Sequence, residues 1–108
     1  MSITTTLSIS SAGKYHYSPN SVTVTSSPTT LIYQLDAASA VEWAITGMNS
    51  KDSRNQLAPP VVAAGGNSIS VLDANTAKET FSVTIEAQNR EQPERKVRID
   101  PEVANDPQ

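Results

Sequence analysis

A period of two runs through most of this chain, and it constrains the fold more than any other feature. Phe81, Val83, Ile85 and Ala87 are separated by Ser82, Thr84 and Glu86. Successive side chains of a strand point to opposite faces, so this pattern describes a sheet with one face in a core and the other in water. Similar alternation predicts strands near 3–10, 21–26, 30–36, 40–46, 68–73, 80–88 and 95–100, with a short extended piece at Tyr15 to Ser18. Turn chemistry punctuates them at Ser18-Pro19-Asn20, Ser26-Ser27-Pro28, Gly65-Gly66-Asn67 and the polar stretch from Asn89 to Glu94. A chain of 108 residues suits one domain, and that size buries roughly two-thirds of the unfolded surface without staples. The expectation is an all-β sandwich of about seven antiparallel strands, formed by a single domain at 1–101 with a C-terminal tail at 102–108.

The side chains that do chemistry are scarce. There is no Cys, which removes disulfides, thiolate nucleophiles and cysteine zinc sites together. His16 is the only histidine, and a lone imidazole without a thiolate cannot assemble a blue-copper site. The four glycines, at 13, 47, 65 and 66, form neither a phosphate loop nor a dinucleotide fingerprint, and no Gly-x-Ser-x-Gly occurs. Hydrolysis with His16 as the base would need a serine and an acid brought to it by the fold; a solvated surface histidine is the simpler role. A formal net charge of −3 argues against a surface that tracks phosphates, so nucleic acid is not an expected partner. The longest nearly uncharged apolar stretch, Leu57 to Ala64, is short and holds Pro59 and Pro60, so no membrane span is expected. Met1 to Leu7 has no basic lead, apolar run or cleavage site, which gives a cytoplasmic expectation. We expect no enzyme, no cofactor and no metal.

Charge is unevenly placed. Of eight Lys and Arg and eleven Asp and Glu, only Lys14, Asp36 and Glu42 precede residue 51. The first half wets its strands with hydroxyls instead, as in Thr4, Thr6, Ser8, Thr23 and Thr25. The least regular stretch is 47–66, and a loop of that length in a compact domain often carries function. Its Asp52, Arg54 and Asn55 are candidate interaction residues, although Gln56 to Ala64 also reads as an irregular edge strand. Tyr15 and Tyr17 form a second candidate pair, on one face of their short strand with His16 on the other.

Alternation also groups Val41, Trp43 and Ile45 on one face of a middle strand, against Glu42, Ala44 and Thr46. Trp43 then belongs to the core; the competing role is a sugar-stacking platform shared with Tyr15, Tyr17 and Tyr33. A buried tryptophan on a central strand resembles the immunoglobulin-like sandwiches, without the disulfide of antibody domains. Two further segments echo one another. Leu35-Asp36-Ala37-Ala38-Ser39-Ala40-Val41-Glu42 and Leu72-Asp73-Ala74-Asn75-Thr76-Ala77-Lys78-Glu79 both read Leu-Asp-Ala-x-Ser/Thr-Ala-x-Glu, which predicts two strand connections of similar shape with Asp36 and Asp73 as turn formers.

The end of the chain holds Asp100, Glu102, Asn105 and Asp106, oxygen donors of the kind calcium takes, but in a spacing that wraps no cation. The run from Arg95 to Pro107, a final alternating strand ending in Asp100-Pro101-Glu102 and then Asn105-Asp106-Pro107, resembles the DP-EP family of small uncharacterised bacterial proteins. It departs from that pattern in that Val103, not proline, follows Glu102. The resemblance implies a sandwich with no assigned activity and supplies no catalytic residues. Val103 lies beyond the proline that ends the strand, so it is expected to dock on its own sandwich or on a neighbouring copy. The function expected is therefore structural or protein–protein interaction, through a protein partner or self-association; the alternative is a small-molecule or carbohydrate-binding module using exposed tyrosines.

Overall fold

The computed structural model describes residues 1–108. In chain order the elements are β1 (Ser2–Ile9), β2 (Tyr15–Ser18), β3 (Ser21–Val24), β4 (Thr29–Leu35), the helix α1 (Ala37–Glu42), β5 (Trp43–Ser50), β6 (Val61–Val62), β7 (Ser68–Asp73), β8 (Glu79–Asn89), β9 (Lys96–Ile99) and β10 (Glu102–Asn105). The first sheet has the order β2-β1-β4-β7-β6, and the second has β3-β10-β8-β5 with β9 also paired to β8. This is the expected all-β sandwich, but with ten strands instead of seven and with mixed sheets. The parallel pairs are β1 with β4 and β3 with β10. They arise because the chain leaves the first sheet after β2, enters the second at β3, and returns at β4 in the direction of β1. Alternation along one strand carries no information about such pairings.

Between the sheets lie Leu7, Leu31, Tyr33, Trp43, Ile69 and Ile85, all essentially without exposure. Each large apolar side chain removed from water this way contributes about 1.5–3 kcal/mol. Trp43 is the largest of the group, and its indole N–H is satisfied by the Ser10 carbonyl at 3.2 Å. Arg95 covers the ring, its guanidinium carbon 5.3 Å from the centroid, so the tryptophan is core and not platform.

Two expected boundaries move. Residues 40–46 do not form one strand, because Ala37–Glu42 coils into α1 with Asp36 as its N-cap, accepting from the Ser39 N–H at 2.8 Å. Val41 is consequently 75% exposed on that helix and does not share a face with Trp43 and Ile45. The second move concerns 102–108, which is not a tail outside a 1–101 domain. Glu102–Asn105 is a strand between β3 and β8, and it keeps the register of β9: Ile99 lies opposite Ile85, and Glu102 opposite Ser82. Pro101, which has no N–H to give, interrupts this ladder without ending it, since its carbonyl still accepts from Val83 N–H at 3.0 Å.

The 47–66 stretch is shorter as a loop than its sequence suggested. β5 runs on to Ser50 after a register shift between Ile45 and Gly47, and the expected irregular edge strand is present as Val61–Val62 on β7. Gly66 follows, at a φ of +74°, where a Cβ would stand 2.8 Å from that of Ala44. Only glycine lets this turn lie so close to β5. No helix of the structure is long and apolar enough to cross a membrane.

Candidate functional site

The core-facing rows of four strands all change from apolar to polar at the same end of the sandwich. On β7 the row Ile69, Val71 continues to Asp73 and then Asn75; on β10 Val103 is followed by Asn105; on β8 Phe81 is preceded by Glu79; on β4 Leu31 is preceded by Thr29. Asp73, Asn75 and Thr29 have no exposed surface, and Asn105 has 2%. Asp73 and Asn105 belong to different sheets and meet across the sandwich, with Asn105 Nδ2 donating to Asp73 Oδ1 at 2.8 Å. The Asn75 N–H donates to the same oxygen at 3.0 Å, and Asn75 Nδ2 donates to the Ser26 carbonyl at 3.2 Å.

These bonds fix both amide orientations, because each NH₂ faces an oxygen that can only accept. What they leave over is a set of buried atoms without hydrogen-bond partners: Asp73 Oδ2, Asn75 Oδ1, Asn105 Oδ1, Glu79 Oε2 and the Tyr33 hydroxyl. Such orphans are uncommon in folded proteins, and each costs about 1–3 kcal/mol. The electrostatics agree. Burial pushes the Asp73 carboxyl above its ordinary range, against the pull of the Asn105 and Asn75 bonds, and the like charges of Asp52 and Glu79 push it further. The Tyr33 phenol is raised by burial and then by the neighbouring Asp73. No Lys or Arg pairs with any of these acids; the one ion pair in the molecule is Arg98 with Glu86, 3.4 Å apart on the outside of the second sheet.

The loop 51–57 covers this end. Asp52 accepts from the Ser50 hydroxyl and from Leu57 N–H at 3.1 Å. Burial raises its carboxyl, but these bonds together outweigh that and hold it below the usual range. Gln56, 5% exposed, reaches under the next connection: its Oε1 accepts from Thr76 N–H at 2.6 Å and Ala77 N–H at 3.1 Å. Glu79 Oε1 takes the Ser53 N–H at 2.6 Å. Of the three candidates in this loop, Asp52 is at the cluster, while Arg54 and Asn55 are exposed on its outer side, Asn55 at a φ of 53°.

The remaining candidates lie elsewhere. Tyr15 and Tyr17 stack at 6.5 Å on the edge strand β2, with Tyr15 44% exposed. Tyr33 and Trp43 are in the core, so neither extends that pair into a platform. Val103 is fully buried within its own sandwich. The acidic set at the chain end is dispersed: Asp100 accepts from the Thr84 hydroxyl at 2.7 Å, Glu102 is exposed, and only Asn105 turns inward.

The family model of the DP-EP family matches residues 1–107. The chain belongs to the DP-EP family. No curated protein matches the sequence. In this DP-EP chain the first Asp-Pro pair is the break between β9 and β10, and the second follows the strand that delivers Asn105.

A serine, a histidine and an acid do come together at the opposite edge, where His16 lies opposite Ser8 in the β1–β2 register and Ser8 donates its hydroxyl to Asp36. A hydrolytic relay requires the imidazole between hydroxyl and carboxylate. Here the serine bonds the acid directly. The Ser39 and Ser8 hydroxyls, with the Ser39 N–H, hold the Asp36 carboxyl below its ordinary range, and the His16 charge adds least. This arrangement caps a helix.

Sequence reasoning missed Gln56, Asn75 and Glu79 and took Asp73 as a turn former only. The available signal was register: a polar residue that continues a core-facing row, as Asp73 continues Ile69 and Val71, is placed inside by the pleat itself.

Proposed function

We propose that this chain is a non-enzymatic module of the immunoglobulin-like type that associates with a second copy of itself through the outward face of its first sheet. The observation that carries this reading is the chemistry of that face. Its cross-strand rows are Ser2, Thr30 and Leu72; Thr4, Ile32, Ser70 and Val61; and Ser18, Thr6, Gln34 and Ser68. No Lys, Arg, Asp or Glu stands among them, whereas the second sheet presents Lys96, Arg98, Glu86 and Glu102. Each copy carries a net charge of −3, and an uncharged face lets two copies meet without opposing like charges. Hydroxyls both donate and accept, so a Ser/Thr face complements itself. Ile32 at its middle and the exposed Leu72 and Val61 supply apolar area.

The immunoglobulin-like assignment is supported by β4 beside β7 in one sheet, β5, β8 and β9 in the other, and Trp43 on β5. The cytoplasmic placement goes with this reading, and fractionation of cells expressing the chain would test it. Light-scattering mass across a concentration series tests the association. The wild type is expected to dimerise, little affected by salt, and Ile32→Lys to remain monomeric with unchanged circular dichroism. A monomeric wild type at millimolar concentration overturns the reading. The small-molecule or carbohydrate alternative has Tyr15 and Tyr17 in its favour, and a Tyr15→Ala variant that lost binding to a glycan array would support it instead.

A further inference from the structure

We propose that the polar end of the sandwich binds a hard divalent cation, Ca²⁺ by its ligand chemistry, through the free oxygens of Asp73, Asn75, Glu79 and Asn105. Four acceptor oxygens without donors are buried at one end of the molecule, on residues drawn from both sheets. Three of the four residues have no more than 2% exposure, so bulk water does not satisfy them. The donor set is all oxygen, which suits Ca²⁺ or Mg²⁺ and neither zinc nor copper. No three His, Cys, Asp or Glu side chains converge as a metal cage; half of the donors here are amide oxygens, and water would complete a coordination shell of six to eight.

The arrangement is self-consistent in charge. Asp73 and Glu79 approach one another with no Lys or Arg between them, and a divalent ion neutralises both. The two asparagines are held with their NH₂ groups on the Asp73 Oδ1 and Ser26 oxygens, which leaves both carbonyl oxygens free. The 51–57 loop is tied to Glu79 through Ser53 and covers the site. Calcium binding here would join β7, β8 and β10 at the end where the sheets are otherwise held by the Asp73–Asn105 bond.

The test uses the full chain, stripped with a chelator and titrated with CaCl₂ by calorimetry and thermal melting. Binding is expected to saturate at one ion per chain with a Kd on the order of 10⁻⁵–10⁻³ M, with a rise in melting temperature. Glu79→Gln keeps the acceptor for Ser53 but replaces the free oxygen by NH₂, and it is expected to raise the Kd at least about tenfold. No saturable heat and no melting shift in the wild type up to millimolar Ca²⁺ would overturn the proposal and leave bridging water as the occupant. An equal shift from MgCl₂, or a Kd that Glu79→Gln leaves unchanged, would overturn it as well.

Discussion

The segments Leu35–Glu42 and Leu72–Glu79 share an eight-residue pattern and fold differently. In the first, Asp36 caps a short helix, accepting from the N–H three residues on, and Ser39 turns inward to take the Ile9 N–H at 2.8 Å. In the second no helix forms. Asp73 accepts from the N–H two residues on, Asn75 adopts a φ of +48°, and the N–H groups of Thr76 and Ala77 go to Gln56 from another loop. Both aspartates form turns, as expected, but the connections are not of similar shape. The difference lies in what surrounds them: in the first segment the N–H groups of Ser39 and Ala40 go to its own Asp36, while in the second those of Thr76 and Ala77 go to a side chain of another loop, and Asp73 faces inward. Local pattern selected the hydrogen-bonding residue, and tertiary contact selected the conformation.

The sharpest way to break this comparison is Gln56→Ala. It leaves two N–H groups of the second connection without acceptors, at about 1–3 kcal/mol for each that stays buried, so urea unfolding should show a loss of about 2–4 kcal/mol. Amide exchange should accelerate at Thr76 and Ala77 and stay unchanged across 37–42. Equal acceleration in both segments would mean that they are not independently ordered. A smaller effect belongs to Asp36→Ala, which removes an N-cap and should cost about 1 kcal/mol by the same measurement, while Asp36→Asn keeps an acceptor and should cost less.

Which parts of the fold were legible follows from what alternation encodes. It placed β1, β3, β4, β7, β8 and β9 within one or two residues because each buries one face, and it placed Trp43 in the core. It could not give strand partners, so the parallel pairs β1–β4 and β3–β10 were missed, and Pro101 concealed β10 because a missing N–H reads locally as a strand end. The candidate site was half-legible. Asp52 stands out in an irregular loop, whereas Asp73 and Asn105 sit in core-facing register but read by their chemistry as a turn former and a terminal oxygen donor, and Glu79 precedes the expected start of its strand. Gln56 had no sequence signal, since its partners lie about twenty residues away.

The same pair of aspartates gives a pH dependence. The Asp36 carboxyl is held low by the Ser39 and Ser8 hydroxyls and the Ser39 N–H, so the folded chain takes up that proton less readily than the unfolded chain does. The stability it contributes is complete above the unfolded pKa of about 3.9 and is lost as the pH falls through the lower folded value. The stability gap between wild type and Asp36→Ala should therefore be constant near neutrality and narrow on acidification below about pH 4. A gap that persisted at the lowest pH would assign the cap to the neutral acid.

Smallest of all should be Val41→Lys. The alternating pattern put Val41 beside Trp43 in the core, where a lysine would cost several kcal/mol through a buried unpaired charge; the helix instead leaves it 75% exposed. A surface substitution of that kind stays within about ±0.5 kcal/mol, and valine is a weaker helix former than lysine, so the sign should be neutral to slightly stabilising. Urea midpoints of the two proteins that agree within error place 37–42 as a helix, whereas a shift of several kcal/mol would return the segment to the strand that its alternation describes.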